Sequence, residues 1–154
     1  MPPARAPTPL AILAVEDSPA QIAFIRRVLD RHGLVYTLQV IADGTQALHF
    51  FDQLAQNAHV PCPDLLLLDL HLPGQNGKAL LQHFKAIPRC AGITVIIVTA
   101  SVEPSDRTDT LALGADAFFQ KPSRFAAYME LGHLIQQFTF GGASQAGGER
   151  EQSP

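Results

Sequence analysis

Residues Asp64–Gly77 read DLLLLDLHLPGQNG, and this segment constrains the fold more than any other. Four leucines, Leu65–Leu68, run straight into Asp69, with Pro63 before them and Pro73 soon after. A short continuous apolar run bounded by turn residues suits a strand buried on both faces of a parallel sheet. The flanking prolines exclude a long helix. Asp69 then stands where a central strand ends, and in open α/β sheets ligands bind at that carboxyl edge. Alone, such a carboxylate serves equally well as a loop cap. Its meaning depends on what else reaches the same edge.

The rest of the chain supplies the neighbours. Ala11–Val15 is a second apolar run, ending in Glu16-Asp17-Ser18-Pro19. Ser18 suits a helix cap and Pro19 a first helical turn. Ile22, Ile25, Val28 and Leu29 continue at helical spacing until His32-Gly33. Val35–Ile41 alternates loosely and reads as an edge strand, after which Asp43-Gly44 opens a helix carrying Ala47, Leu48, Phe51 and Leu54. Beyond Gly77 a helix carries Ala79, Leu80, Leu81 and Phe84. Ile93–Val98 is another buried strand, ending in Thr99-Ala100-Ser101. Pro104–Leu113 is a weaker helix, and Ala117–Phe119 a short strand running into Gln120-Lys121-Pro122. Ser123 caps a last helix with Phe125, Tyr128, Met129, Leu131, Leu134, Ile135 and Phe138 as its apolar positions.

Five strand–helix units in alternation predict an α/β fold: a single doubly wound, five-stranded parallel sheet with helices on both faces. The flavodoxin-like order 2-1-3-4-5 is the favoured topology for one domain of this size. That order makes strands 1, 3, 4 and 5 neighbours. Their carboxyl ends carry Glu16 and Asp17, then Asp69, then Thr99, then Lys121. Four separate stretches deliver polar groups to one small patch.

Composition removes several other classes. At 154 residues the chain suits one domain with a substantial core. The net charge of −3 gives no basic field for nucleic acid or an anionic membrane. No apolar run approaches the roughly 20 residues of a membrane span, and the start has no signal-peptide core. A cytoplasmic location is therefore expected. Cys62 and Cys90 form no CxxC pair and read as two reduced thiols. The expected boundaries are a disordered Pro-rich leader at 1–9, an ordered domain at 10–140 and a disordered Gly/Ser/Glu-rich tail at 141–154.

The patch itself has a chemistry. Two unit charges about 4 Å apart repel by roughly 4 kcal/mol at an effective dielectric near 20, so three clustered carboxylates require a cation. An all-oxygen set favours Mg²⁺ or Mn²⁺ over zinc. Lys121 offers a point charge suited to a phosphate, and Thr99 a hydroxyl donor. Acid, metal, lysine and hydroxyl are the parts needed to move a phosphoryl group onto an acid.

The ordered set Glu16-Asp17, Asp69, Thr99-Ala100 and Lys121-Pro122 resembles the receiver domain of two-component response regulators, over about residues 10–138. The resemblance implies a Mg²⁺-dependent phosphoacceptor rather than an enzyme acting on a separate substrate. It makes Asp69 the acceptor of a phosphoryl group from a sensor histidine kinase. Asp17, Asp69 and the backbone carbonyl of His71 would hold the metal, with Glu16 assisting through water. Lys121 would pair with phosphoryl oxygens, Thr99 would move to bond one of them, and Phe118 matches the aromatic that changes rotamer with it. The resemblance also implies a cis Lys121–Pro122 bond. The tract LAVEDSPA and the Phe-Phe before Gln-Lys-Pro are similar to stand-alone receivers paired with phytochrome-type kinases, making a bacteriophytochrome the candidate kinase.

Departures from the common family pattern leave the essential parts in place. Glu16 replaces a more frequent aspartate, Gln75-Asn76 stands where Met-Asp is usual, and His71 flanks the acceptor. Taken one at a time the residues have plainer readings: Glu16-Asp17 as helix-start acids, Lys121 as a solvated lysine, Thr99 as a strand end, Phe118 and Phe119 as core. His71 and His83 read as exposed.

A haloacid dehalogenase-type phosphatase would need an acid where His71 stands. A flavodoxin-like cofactor binder would meet repulsion from Glu16-Asp17, and a receiver-like scaffold without phosphorylation would not keep the full set. A phosphorelay intermediate stays open beside a terminal signalling module whose output is a protein contact. Finally, Phe138 and Phe140 extend the apolar face of the last helix. They either fold back on their own domain or form an arm in a homodimer, the reading favoured by resemblance to receivers that pair through helix 4, strand 5 and helix 5.

Overall fold

The computed structural model describes residues 8–139. Its strands are β1 (Leu10–Val15), β2 (Tyr36–Ile41), β3 (Leu65–Leu68), β4 (Thr94–Thr99) and β5 (Ala117–Gln120). They form one parallel sheet in the order β2-β1-β3-β4-β5, the topology expected from the sequence. The helices are α1 (Pro19–Arg31), α2 (Gly44–Gln56), α3 (Gly77–Lys85), α4 (Pro104–Ala112) and α5 (Phe125–Thr139), and Pro88–Cys90 forms a short 3₁₀ turn.

The four-leucine strand feeds both halves of the core. Leu66 and Leu68 join Leu13, Val15, Phe51, Leu80 and Phe84 beneath α2 and α3. Leu65 and Leu67 join Ile12, Ala14, Val28, Leu29, Tyr128 and Leu131 beneath α1 and α5. All four are at most 2% exposed. Each buried leucine contributes roughly 1.5–3 kcal/mol, which fixes β3 at the centre. Helix α4 buries only Thr110, which accounts for its weak sequence pattern.

Local chemistry places the helix starts. Ser18 Oγ accepts from Gln21 N at 3.3 Å, and Asp43 Oδ1 accepts from Thr45 N and Gln46 N. Asn76 Oδ1 caps α3 by accepting from Lys78 N at 2.7 Å. The α3 start must be glycine, because a Cβ on Gly77 would overlap Leu70 Cα. This close approach lets the loop after β3 fold back on itself, bridging His71 to Asn76.

Two expectations are revised. Cys62 and Cys90 are joined by a disulfide, their Cα atoms 5.7 Å apart. They lie in the loops that enter β3 and β4, and parallel neighbours bring those loops to the same end of the sheet. The Lys121–Pro122 bond is trans, since the described residues contain no cis peptide bond. Trans is the isomer that an X–Pro bond favours by about 0.5–1 kcal/mol, and Lys121 reaches the acidic edge without the other. Phe138 is half-buried against the core of its own domain, beside α1 and α5. Phe140, most of the leader and the tail lie outside the described residues.

Candidate functional site

Backbone pairing brings the polar residues together. Asp69 N donates to Val15 O at 3.0 Å and Glu16 N to Ile41 O at 3.0 Å, so the ends of β3, β1 and β2 run level. At the other side, Lys121 N donates to the carbonyl of Thr99 at 2.7 Å and continues the β4–β5 ladder one step beyond Gln120. Lys121 is thereby turned back over the edge. Its Nζ lies 2.6 Å from Glu16 Oε2 and 2.9 Å from Asp69 Oδ2, bridging the two acids.

The acids are held from both ends. Ser18 N donates to Glu16 Oε1 at 3.0 Å, and His71 N donates to Asp69 Oδ1 at 3.2 Å. One carboxylate oxygen from each of Glu16, Asp17 and Asp69 lies within 4.8 Å of the others. Glu16 and Asp69 are buried, whereas Asp17 is exposed and opens onto a cleft of about 610 Å³ formed with Leu70–Asn76. Hard oxygen donors with one open side suit a hydrated divalent cation of the Mg²⁺ type, which keeps several of its waters.

Burial raises the Glu16 carboxyl above its ordinary 4.5, with the Lys121 hydrogen bond and charge opposing that rise. Burial alone would depress the Lys121 ammonium, but its hydrogen bonds and charge pairing with Glu16 and Asp69 outweigh burial and raise it above 10.5. Both shifts describe one ion cluster withdrawn from water. Beneath it Tyr128 donates to Gln21 Oε1 at 2.6 Å, and its phenol is pushed up by burial and then by the charges of Glu16 and Asp69.

Of the residues singled out in the sequence, Glu16, Asp17, Asp69 and Lys121 meet directly. Thr99 is fully buried at the end of β4, where Ser101 N donates to its Oγ1 at 3.4 Å. Phe118 pairs with Ile97 across β4 and β5 and is buried among the α2–α3 core residues, with the Arg107 guanidinium 5.1 Å from its ring centre. His71 has an exposed side chain, as does His83, which pairs with Asp52 at 2.8 Å.

Sequence reading passed over Lys78, Ser101 and Asp106. Lys78 Nζ lies 2.8 Å from Asp106 Oδ1 and 2.8 Å from Asp109 Oδ2, while Ser101 Oγ donates to Asp106. Lysine, serine and aspartate in loops and helix turns carry no distinguishing spacing, so nothing short of the fold joins them. Among the described residues no helix is long and apolar enough to cross a membrane.

The family model for the response regulator receiver domain matches residues 12–131. The chain is 29% identical over 130 residues to response regulator Rcp1 of Synechocystis sp., covering 84% of this chain and 88% of that protein. The crystal structure of the Mn²⁺-bound form of Rcp1 aligns with a TM-score of 0.73 at 29% identity, over 84% of this chain and 94% of that one. The phosphorylated cyanobacterial phytochrome response regulator RcpA aligns with a TM-score of 0.75 at 26% identity, over 86% and 95%. The receiver domain of sensor histidine kinase PA1611 from Pseudomonas aeruginosa, with a magnesium ion coordinated in its active-site cleft, gives 0.66 at 27%, over 84% and 97%.

Proposed function

The chain belongs to the response regulator receiver domain family, and on that premise we propose that it is a phosphoacceptor whose acceptor atom is a carboxylate oxygen of Asp69. The observation that carries the reading is the Lys121 bridge: one ammonium within hydrogen-bond reach of Asp69 and Glu16, beside an exposed Asp17. Mg²⁺ is the cofactor that this oxygen set fits, as it occupies the PA1611 receiver and Mn²⁺ occupies Rcp1. Asp17, Asp69 and the His71 carbonyl would hold it, with Glu16 assisting. Bound there, it supplies positive charge for the equatorial phosphoryl oxygens.

The residues divide the remaining work. Asp69 Oδ attacks the phosphorus of a phosphohistidine, a P–O bond forms, the P–N bond breaks, and the imidazole takes up a proton. Lys121 exchanges its contact with Asp69 Oδ2 for the new phosphoryl oxygens, so its charge stays paired throughout. Thr99 is the hydroxyl that turns toward the phosphoryl group, and Phe118 the ring that moves with it.

A sensor histidine kinase is the proposed donor, of phytochrome type by analogy with RcpA. Signalling through a switched protein surface is preferred to relay, because Val102 and Leu111 stand exposed on and beside α4. Those two side chains also support pairing with a second copy.

The test is phosphorylation of the full chain by acetyl phosphate or a cognate kinase with Mg²⁺. One phosphoryl group that hydroxylamine removes, as it does acyl phosphates, is expected, and Asp69→Asn abolishes it. Equal labelling of the Asp69→Asn protein would overturn the assignment.

A further inference from the structure

The acidic patch occupies one end of β3 and β4, and the Cys62–Cys90 bond occupies the other. Its two sulfurs have unlike surroundings. Cys90 is fully buried in the core formed with Phe84 and Ile87. Cys62 is half-buried and lines a cavity of about 310 Å³ with Ala11, Leu13, Phe50, Pro61 and Pro63. Arg89 Nη1 stands 3.4 Å from the Cys62 sulfur.

That guanidinium is fixed independently of the sulfur. Its Nε and Nη2 donate to Leu54 O at 3.0 and 2.7 Å, and Nη2 also donates to Asn57 O at 3.0 Å. A thiolate released at Cys62 therefore meets a cation already in place, a setting that lowers thiol pKa, whereas apolar burial at Cys90 raises it.

We propose that Cys62–Cys90 is a thiol–disulfide exchange site in which Cys62 is the sulfur open to small thiols and Cys90 is the buried resolving partner. In reduction, the thiolate of a glutathione-class thiol entering by the cavity attacks Cys62 Sγ. A mixed disulfide forms, the bond to Cys90 breaks, and Cys90 leaves with the electron pair and takes up a proton. A second small thiol attacks the sulfur of the first, releasing Cys62 as a thiolate and the small-molecule disulfide. Two electrons pass to the protein and two small thiols are oxidised. In oxidation, Cys62 attacks a small disulfide, one thiol leaves, and the deprotonated Cys90 displaces the second.

Access selects the sulfur. Cys62 would be the better leaving group, but attack at Cys90 is blocked by complete burial. The bond spans 28 residues, including β3 and α3, so its state is coupled to the stability of the strands carrying Asp69 and Thr99. Closing a loop of that length restricts the unfolded chain, and reduction should lower the melting temperature by about 10 °C.

The test equilibrates the full chain in glutathione buffers of graded ratio, traps thiols with an alkylating agent and counts them by mass. A reversible transition in which both thiols appear together is expected. A bond that stays intact in the native protein under excess dithiothreitol would overturn the proposal. Two variants separate the sulfurs. Native Cys90→Ala should take up one glutathione from glutathione disulfide at least ten times faster than native Cys62→Ala, and its thiol should titrate below the ordinary value of about 8.5. Equal rates, or a Cys62 titration at or above that value, would overturn it.

Discussion

Lys121 Nζ and Glu16 Oε2 are 2.6 Å apart, although 105 residues separate them along the chain. The contact joins the end of the first strand to the end of the last, across Asp69 on the third. A single ammonium serving two buried acids holds the edge together and keeps Asp69 oriented.

Removing that ammonium should therefore destabilise the metal-free protein. Lys121→Ala leaves Glu16 and Asp69 buried without their partner, and breaking a buried pair in this way costs roughly 3 kcal/mol. Added Mg²⁺ replaces the lost charge, so it should raise the melting temperature of Lys121→Ala more than that of the parent. Calorimetry with and without millimolar Mg²⁺ decides this. An equal Mg²⁺ increment in both proteins contradicts the bridging role.

The Glu16 carboxyl is raised above 4.5, chiefly by burial, so the native state holds this proton more tightly than the unfolded chain does. Its ionised form thus costs stability above the raised value. That cost disappears as pH falls toward 4.5. Mg²⁺ favours the ionised form and works in the opposite direction. Between neutrality and pH 5, the Mg²⁺-induced rise in melting temperature should shrink steadily, and Glu16→Gln should flatten the trend. A metal effect that grows on acidification would reverse the sign of this account.

The sequence carried most of this site because its parts depend on strand ends. Leu65–Leu68, Ile93–Val98 and the Pro and Gly punctuation locate those ends, and a parallel sheet collects them at one edge. Contacts within loops are not visible that way. Cys62 and Cys90 lack any short spacing signal, yet the order β3-β4 already implies that their loops share an end of the sheet. A cis bond at Lys121–Pro122 rests on likeness alone, and no local feature of the chain decides the isomer. The Lys78–Asp106 pair arises from the packing of α3 against α4, where α4 has too few buried positions to reveal its register.

Gly77 offers a test of how tightly the acceptor loop is held. A Cβ there would overlap Leu70 Cα and lie 2.8 Å from the Asp69 carbonyl oxygen, both backbone atoms. Neither can step aside as a flexible side chain would. Gly77→Ala should cost about 1–3 kcal/mol and shift the residues after Asp69, slowing phosphorylation more than the stability loss alone explains. Denaturant unfolding beside initial labelling rates measures both. A stable variant with parental labelling would mean the loop has slack that the geometry does not show.

The loop after Thr99 is tied down by polar side chains. Ser101 Oγ donates to Asp106, Glu103 N donates to Ser101 Oγ at 3.2 Å, and Lys78 ties Asp106 and Asp109 to the start of α3. These bonds hold the β4–α4 loop and α4 in one place, although α4 buries little apolar surface of its own. The Asp106 carboxyl is lowered by its hydrogen bonds from Lys78 and Ser101, so the tie persists well below neutral pH. Ion pairs near the surface contribute little to global stability, and Lys78→Met should leave the melting temperature almost unchanged. Its local effect should be larger, because few other contacts restrain α4. Amide exchange across Pro104–Ala112 should speed up several-fold in Lys78→Met while α1 and α5 keep parental rates. Uniform acceleration throughout the domain would indicate ordinary destabilisation, and unchanged α4 exchange would show that burial of Thr110 anchors the helix without the ion pairs.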